Sequence, residues 1–481
     1  MTEKETERGN SVLALKAGFW YVAGNFVGKT ITFITTPIFA RLMTASDYGE
    51  FSNFASWAAM LIFITSAELH NTLSRAYYDF KQNYDEYISS VTILGGIITV
   101  IVYSSFLFCR RFIFKIVAIP EQYVHLLFIF LFFSFCSLVY YARERTLYRY
   151  KSVAVITFLS LFIPTLISIC LVFFLPKANH LSARLYGYYL PSALIGLFCT
   201  VSLLKKSSTF NWKYCRYGLA LSLPLLVHYL TAYLLTSTNV VITKNMLGSE
   251  ITAVVSIANS ATHILTIFFQ ATSGALTTWL MDNLEMRRND IIKRGTLFYL
   301  FLLALIVIVT ILLTPEIILV LGGKKYVASV SILPGLVFAT FIQSVTTLFA
   351  IILTYDKNIV KTAVYTGMFA LFSIVAKITF LPEYGFMVLV YVNIIIFSIL
   401  LLINYLLIKN AGYAEVINLK GMIFILLFTG IVTAFSQSFY RFSLLRYGFI
   451  ILLLVCFISL IVRNKKRLLT SVNRFRVKRN A

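Results

Sequence analysis

The chain has 481 residues, 59% of them hydrophobic and 13% charged, with a formal net charge of +23 and a mean hydropathy of +0.84. Apolar runs of about 20 residues recur from end to end, each long enough to span a hydrocarbon core of about 30 Å. These values exclude a soluble globular domain and point to an all-α polytopic membrane protein. In a soluble chain the basic excess would suggest nucleic acid. Here the crowding of Lys and Arg into cytoplasmic loops accounts for it, and no nucleic-acid partner is expected.

The chain opens with "MTEKETERGN". That stretch lacks the basic region, apolar core and small-residue cleavage site of a secretory signal, so the first membrane helix is expected to act as its own insertion signal. Spans are predicted at 14–40, 49–69, 88–109, 121–141, 153–175, 182–204, 218–242, 251–278, 296–313, 330–354, 361–381, 385–408, 418–437 and 444–462, about fourteen helices with short connections. With the N-terminus inside, "RERTLYRYK", "KKSSTFNWKYCR", "RRNDIIKR" and the tail "RNKKRLLTSVNRFRVKRN" all fall in the cytoplasm. About 28 Lys and Arg then lie inside and about 11 outside, which places both termini in the cytoplasm. "RRFIFK", on the outside, breaks the trend.

An internal repeat recurs at a spacing of 203 residues. Arg41 aligns with Lys244, Ser46-Asp47 with Ser249-Glu250, and Tyr123-Val124 with Tyr326-Val327. Six helices separate the members of each pair, so two parallel six-helix lobes with a site between them are expected. The implied organisation is a cytoplasmic segment 1–13, an N-lobe 14–204, a linker 205–217 and a C-lobe 218–408. Two further helices at 409–462 and a basic tail 463–481 complete the chain.

Charged and polar residues inside the spans carry the functional reading. Asn25, Lys29, Thr32 and Thr36 share one face of the first span, so Lys29 belongs to a polar stripe. A cation at mid-bilayer costs about 2.5–3.5 kcal/mol on insertion scales, and a wet cavity relieves that. Pro37 is expected to kink the helix near its outer end. Glu68, Asn71 and Arg75 share a face at the end of the second span. They read either as a structural ion pair or as a gate, and Glu68 is the first candidate if H+ or Na+ drives the protein. His263, Thr266, Gln270, Ser273 and Thr277 form a stripe on the eighth span. A lone histidine there is commonly a packing residue, but the stripe indicates a helix facing the cavity. Lys377, in the outer part of span eleven, either snorkels outward or adds to a positive cavity. Cations outnumber acids within the spans, which favours an anionic ligand.

Other chemistry is absent. The six cysteines are scattered, with no C-x-x-C or metal-ligand spacing. There is no Walker P-loop and no H-E-x-x-H. Neither a metal, a bound cofactor nor an enzymatic role is expected, because the short loops leave no room for a glycosyltransferase or polymerase site.

The stretch "KAGFWYVAGNFVGKTITFITTPIFARLMTASDYGEFS" resembles the amino-terminal signature of bacterial polysaccharide and O-antigen flippases. These belong to the multidrug, oligosaccharidyl-lipid and polysaccharide exporter superfamily. The matching positions are Gly24-Asn25, Lys29, Thr36-Pro37-Ile38-Phe39, Arg41-Leu42 and Asp47-Tyr48-Gly49. "AELHNTLSRAYYDF", with Arg75, and "PEIILVLGGKKYVASVSILPGL" are looser matches, and "LPEYGFMVLVY" keeps only Pro382 and Gly385 of a further family pattern. The resemblance implies an inner-membrane flippase that moves an undecaprenyl-diphosphate-linked oligosaccharide, an O-antigen or capsule repeat unit, by alternating access. It implies that Lys29, Arg41 and Arg75 provide positive charge for the diphosphate. It also implies membrane lipids, a polysaccharide polymerase and a chain-length regulator as partners. The rival readings are a drug or small-metabolite antiporter of the same superfamily, and a flippase for another lipid-linked cell-wall precursor. Lys29 argues against a carrier of cationic drugs.

Overall fold

The computed structural model describes residues 28, 30–31, 33–356, 359–453 and 455, with the backbone alone at 236, 270, 359 and 360. Among these residues the chain forms helices and turns and no strand. Asn25, Lys29, the segment 1–13 and the tail 463–481 lie outside the described residues.

The N-terminal half comprises α1 (Phe33–Leu42), α2 (Ala45–Ser66), α4 (Tyr84–Phe108), α6 (Val124–Thr146), α7 (Tyr150–Phe174) and α8 (His180–Leu204), with the short α3 (Leu73–Asp79) and α5 (Arg110–Val117) between them. The C-terminal half comprises α9 (Trp212–Leu247), α10 (Ser249–Glu285), α11 (Asn289–Leu312), α13 (Ser329–Tyr355), α14 (Ile359–Tyr384) and α15 (Met387–Asn410), with the short α12 (Thr314–Leu321). Then follow α16 (Leu419–Tyr440) and α17 (Ser443–Leu453). Eleven of these helices are long and apolar enough to cross a bilayer, so the chain is an all-α polytopic membrane protein. α2 is of comparable length, 22 residues, with Asp47 in its first turn.

Local chemistry sets the helix starts. Thr44 caps α2: its hydroxyl accepts from the Asp47 amide at 3.1 Å and donates to the Asp47 carboxylate at 2.7 Å. Asn211 opens α9 by accepting from the Lys213 amide at 2.9 Å. α1 runs through Pro37 without a break in its helix. Large apolar side chains such as Phe108, which is 92% exposed, point away from the protein. That arrangement suits hydrocarbon, where burying them inside the protein would gain nothing.

The two halves repeat the same series of elements: a long helix, a short helix, a 3₁₀ turn and a second long helix. The turns, Glu121–Tyr123 and Lys324–Tyr326, lie 203 residues apart. The segments before these turns, expected from the sequence to be loops, are instead the short helices α5 and α12. In "RRFIFKIV" the basic residues Arg110, Arg111 and Lys115 are exposed while Val117 is buried, and Arg110 pairs with Glu121 at 3.1 Å. An amphipathic helix of this kind lies along the surface instead of crossing it, which is why its cations do not follow the loop-charge pattern. Asn53 of α2, fully buried, donates to the Val117 and Ala118 carbonyls at 3.0 and 3.1 Å and so closes the end of α5.

α2 packs against α9 and α10, joining the halves, and α16 rests on α11 and α13. At the end of the molecule where α12 lies, Arg446 pairs with Glu316, and the Tyr440 hydroxyl donates to the Ile311 carbonyl at 2.7 Å. Together these tie the last two helices to the C-terminal half.

Candidate functional site

A cavity of ≈ 550 Å³ lies between the halves. One wall comes from α1, α2 and α8, with Thr35, Thr36, Tyr48, Phe51, Ser52, Ser56 and Arg184. The other comes from α9, α10, α13 and α15, with Tyr233, Asn239, Asn259, His263, Thr340, Gln343 and Asn393. Helical periodicity builds both walls. On α10 the lining residues Ser256, Asn259, Ser260, His263 and Thr266 recur every three or four positions, one face of a helix. Serines on these faces satisfy themselves within their own helix, as Ser52 and Ser56 do by donating to the Tyr48 and Ser52 carbonyls at 2.8 Å each.

Arg184 is the charged residue of the described lining. Its guanidinium carbon lies 3.4 Å from the centre of the Phe39 ring and 3.8 Å from that of Phe51, so the group is sandwiched between two aromatic faces. Tyr48 approaches at 5.5 Å. Among the described residues Nη1 reaches the Met43 sulfur at 3.9 Å, and Nε has no hydrogen-bond partner. No carboxylate is among the described lining residues. The rings hold the planar cation without neutralising it, which leaves its donor fork available to an anion.

The end of the cavity beside the α1–α2 junction is sealed by contacts across the halves. Ser256 Oγ donates to Ser52 Oγ at 2.8 Å. Lys244 pairs with Glu50 and donates to Ser249 Oγ at 2.6 Å, and Ser249 Oγ donates to Glu50 at 2.8 Å. Lys325 donates to the carbonyls of Ala40, Arg41 and Met43 at 3.3, 3.2 and 3.0 Å, closing the C-terminal end of α1. Two of these contacts mirror one another. Arg41, at the end of α1, donates to the Val320 carbonyl of α12 at 2.9 Å. Asn245, at the end of α9, donates to the Ile116 carbonyl of α5 at 2.5 Å. The approach is closest at Gly49, where an added Cβ would stand 1.9 Å from the Ser249 carbonyl oxygen.

The residues singled out in the sequence are distributed as follows. His263 and Thr266 line the cavity. Gln270 continues their helix, its side chain outside the described set. Arg41 lies at the sealed end, capping α12. Arg75, with its side chain 72% exposed, pairs with Asp79 at 3.5 Å instead of Glu68. Glu68 is not inside a span: α2 ends at Ser66, and Glu68 sits in the turn beyond it, φ +55, accepting from Asn71 Nδ2 at 2.5 Å. Lys377 does not snorkel. It is 0% exposed within α14, its Nζ has no hydrogen-bond partner among the described residues, and it does not line the cavity.

Two consequences are measurable. Lys377→Met keeps the volume of the stem and removes a polar head enclosed without an acceptor, a group whose burial costs about 1–3 kcal/mol or more. The variant is therefore expected to melt at a higher temperature in detergent, and a lower melting temperature would show that the amine has an acceptor. For Glu68, burial in its turn pushes the carboxyl up to about 7, partly offset by the Asn71 hydrogen bond. A raised carboxyl favours the protonated form, so its contribution to folding is complete below about pH 4.5 and is lost as pH rises through 7. Glu68→Gln is accordingly expected to gain thermal stability over wild type progressively from pH 5 to pH 8. A difference that does not vary with pH would refute this.

Arg184 was missed in the sequence. It stands five residues into α8, in "HLSARLYGYYLP", where a lone cation near a helix end resembles an interfacial anchor. The flanking tyrosines were the signal.

The fold and the cavity define an all-helical polytopic membrane protein with a polar cavity between its two halves. A family model described as "Polysaccharide biosynthesis protein" matches residues 14–280, over half of the chain, and the chain belongs to that family. The resemblance read from its first 52 residues agrees with this. Among solved structures, the chain is similar to "Lipid II flippase MurJ, inward closed conformation", with a TM-score of 0.69 and 16% identity, covering 92% of this chain and 98% of that one. It is also similar to an inward-facing multidrug resistance MATE family transporter of the MOP superfamily, with a TM-score of 0.61 and 14% identity, covering 80% and 95%. A MOP superfamily transporter from Pyrococcus furiosus follows at a TM-score of 0.51 and 16% identity, covering 83% and 97%. At such identities the likeness establishes the fold. No curated protein sequence matches the chain.

Proposed function

We propose that this protein flips an undecaprenyl-diphosphate-linked oligosaccharide, an O-antigen or capsule repeat unit, from the inner to the outer leaflet of the bacterial cytoplasmic membrane. The observation that carries the reading is Arg184, a ring-stacked guanidinium facing the central cavity with no carboxylate among the described lining residues. A diphosphate crossing a low-dielectric space needs such a partner, because an unpaired anion there is prohibitively costly. Membership of a polysaccharide biosynthesis family and a fold shared with a lipid II flippase support a lipid-linked glycan as the cargo. A carrier of cationic drugs would want acidic lining residues, and the described lining has none. With both termini in the cytoplasm, the sealed end faces outward and the described state is the one that loads from inside. The hydrocarbon tail stays in the bilayer. A polymerase and a chain-length regulator act on the delivered product.

Coupling is read as proton uptake at Glu68, whose carboxyl titrates near neutrality in the turn beyond α2. Sodium is the alternative. A Glu68→Gln protein that keeps the wild-type pH profile of translocation would assign coupling elsewhere.

The test is surface polysaccharide in a deletion strain complemented with wild type, Lys29→Ala or Lys29→Arg at matched expression. The expected result is loss of polysaccharide in the deletion with lipid-linked intermediate held inside, no rescue by the alanine variant, and rescue by arginine. Normal polysaccharide in the deletion, in a strain with no second flippase, would overturn the reading.

A further inference from the structure

The two cavity walls differ in chemistry. The wall from α1, α2 and α8 holds the guanidinium of Arg184. Among its described residues, the wall from α9, α10, α13 and α15 has no formal charge, and its one titratable imidazole is His263. That wall presents side-chain amides: Asn239, Asn259, Gln343 and Asn393. Asn239 is 1% exposed, and its Oδ1 has no hydrogen-bond partner among the described residues. A buried amide oxygen left unpaired is costly unless something in the cavity donates to it.

Amides both donate and accept, as sugar hydroxyls and N-acetyl groups do. They provide nothing to neutralise a carboxylate, which would be stripped of water on entering and left unpaired. Resting on the reading of this cavity as the site for a lipid-diphosphate glycan, we propose that the C-terminal wall selects a neutral, hydroxyl- or N-acetyl-rich sugar next to the diphosphate and rejects a uronic acid there. Arg184 holds the diphosphate on one wall, and the amides hold the sugar on the other. The selectivity follows from polar groups that a mismatched sugar would leave unpaired, the kind of discrimination that hydrogen-bonding sites achieve most strongly.

The experiment uses the full-length protein in nanodiscs and three probes: undecaprenyl diphosphate, undecaprenyl-diphospho-N-acetylglucosamine and undecaprenyl-diphospho-glucuronic acid. The N-acetylglucosamine lipid is expected to bind about tenfold or more tightly than the bare diphosphate, and the glucuronic acid lipid no better than the bare one. Gln343→Leu and Asn393→Leu are expected to erase the gain from the neutral sugar, bringing the N-acetylglucosamine lipid down to whatever affinity each variant shows for the bare lipid. Gln343→Arg puts a cation on the neutral wall and is expected to admit the glucuronic acid lipid with about a tenfold gain. Because it adds an affinity, that gain cannot come from misfolding. If the uronic acid lipid already binds wild type as tightly as the neutral one, or if Gln343→Arg confers nothing, the selectivity is refuted while the flippase reading stands. If none of the three lipids binds, both fall together.

Discussion

Arg184→Met is expected to abolish glycan export while leaving the protein folded and more heat-stable. The methionine stem still fills the slot between Phe39 and Phe51, where the guanidinium carbon now lies 3.4 and 3.8 Å from the ring centres. It removes a buried cation that has no carboxylate partner among the described residues, so the folded state loses an unsatisfied group and not an ion pair. The diphosphate loses a charge-assisted, potentially bidentate contact worth about 2–5 kcal/mol, roughly a 30- to 4,000-fold weakening of binding. Arg184→Lys keeps the charge but gives up the planar fork and its stacking, so intermediate export is expected. Melting curves together with export by the two variants decide the matter. If the methionine variant exports normally, Arg184 only packs the helix junction. If it unfolds, the stacked cation is structural.

The second large effect is expected at Gly49. The added Cβ would meet backbone atoms, the Ser249 carbonyl oxygen at 1.9 Å and its carbon at 2.7 Å, and the Ala253 amide nitrogen at 3.2 Å. No side-chain rotation relieves that, so α2 and α10 must separate where Lys244, Glu50 and Ser249 now bridge the halves. Overpacking costs typically about 1–3 kcal/mol, and here it falls on the sealed state alone, so translocation by Gly49→Ala is expected to drop roughly 10- to 100-fold. The readout is a cysteine placed at Ser256 in a cysteine-free background. It should react with a membrane-impermeant thiol reagent from outside in the Gly49→Ala protein and be protected in its glycine parent. Equal protection with unimpaired export would show that the close approach is dispensable.

Much of the architecture was legible in one dimension. Most of the described helices lie within a few residues of their predicted places, with α9, α10 and α11 running up to seven residues further, because a bilayer leaves each apolar run little choice but to hydrogen-bond its own backbone within a helix. The stripe through His263 and Thr266 was legible for a related reason: helical periodicity alone puts those residues on one face, and that face borders the cavity. The spacing of 203 residues reappears in the paired 3₁₀ turns.

Which neighbour each charge meets was not legible, because that depends on how helices far apart in the chain cross. The family resemblance implies a cavity cation at Arg41, whose helical face the sequence leaves open, and the closure of the halves turns it onto the Val320 carbonyl, 279 residues away. Glu68 and Arg75 share a helical face on paper, but the chain leaves the helix at Ser66, and Arg75 meets Asp79 instead. Lys377 lies where a lysine could reach an interface, and packing encloses it. Arg184 does not stand out in the sequence, and only the arrival of Phe39 and Phe51 from α1 and α2 makes it a stacked cation of the cavity. Span, period and repeat are properties of the chain itself, dictated by hydrocarbon and backbone geometry. The identity of the cavity cation and of the seal depends on which side chains from distant helices converge, and only the tertiary structure decides that.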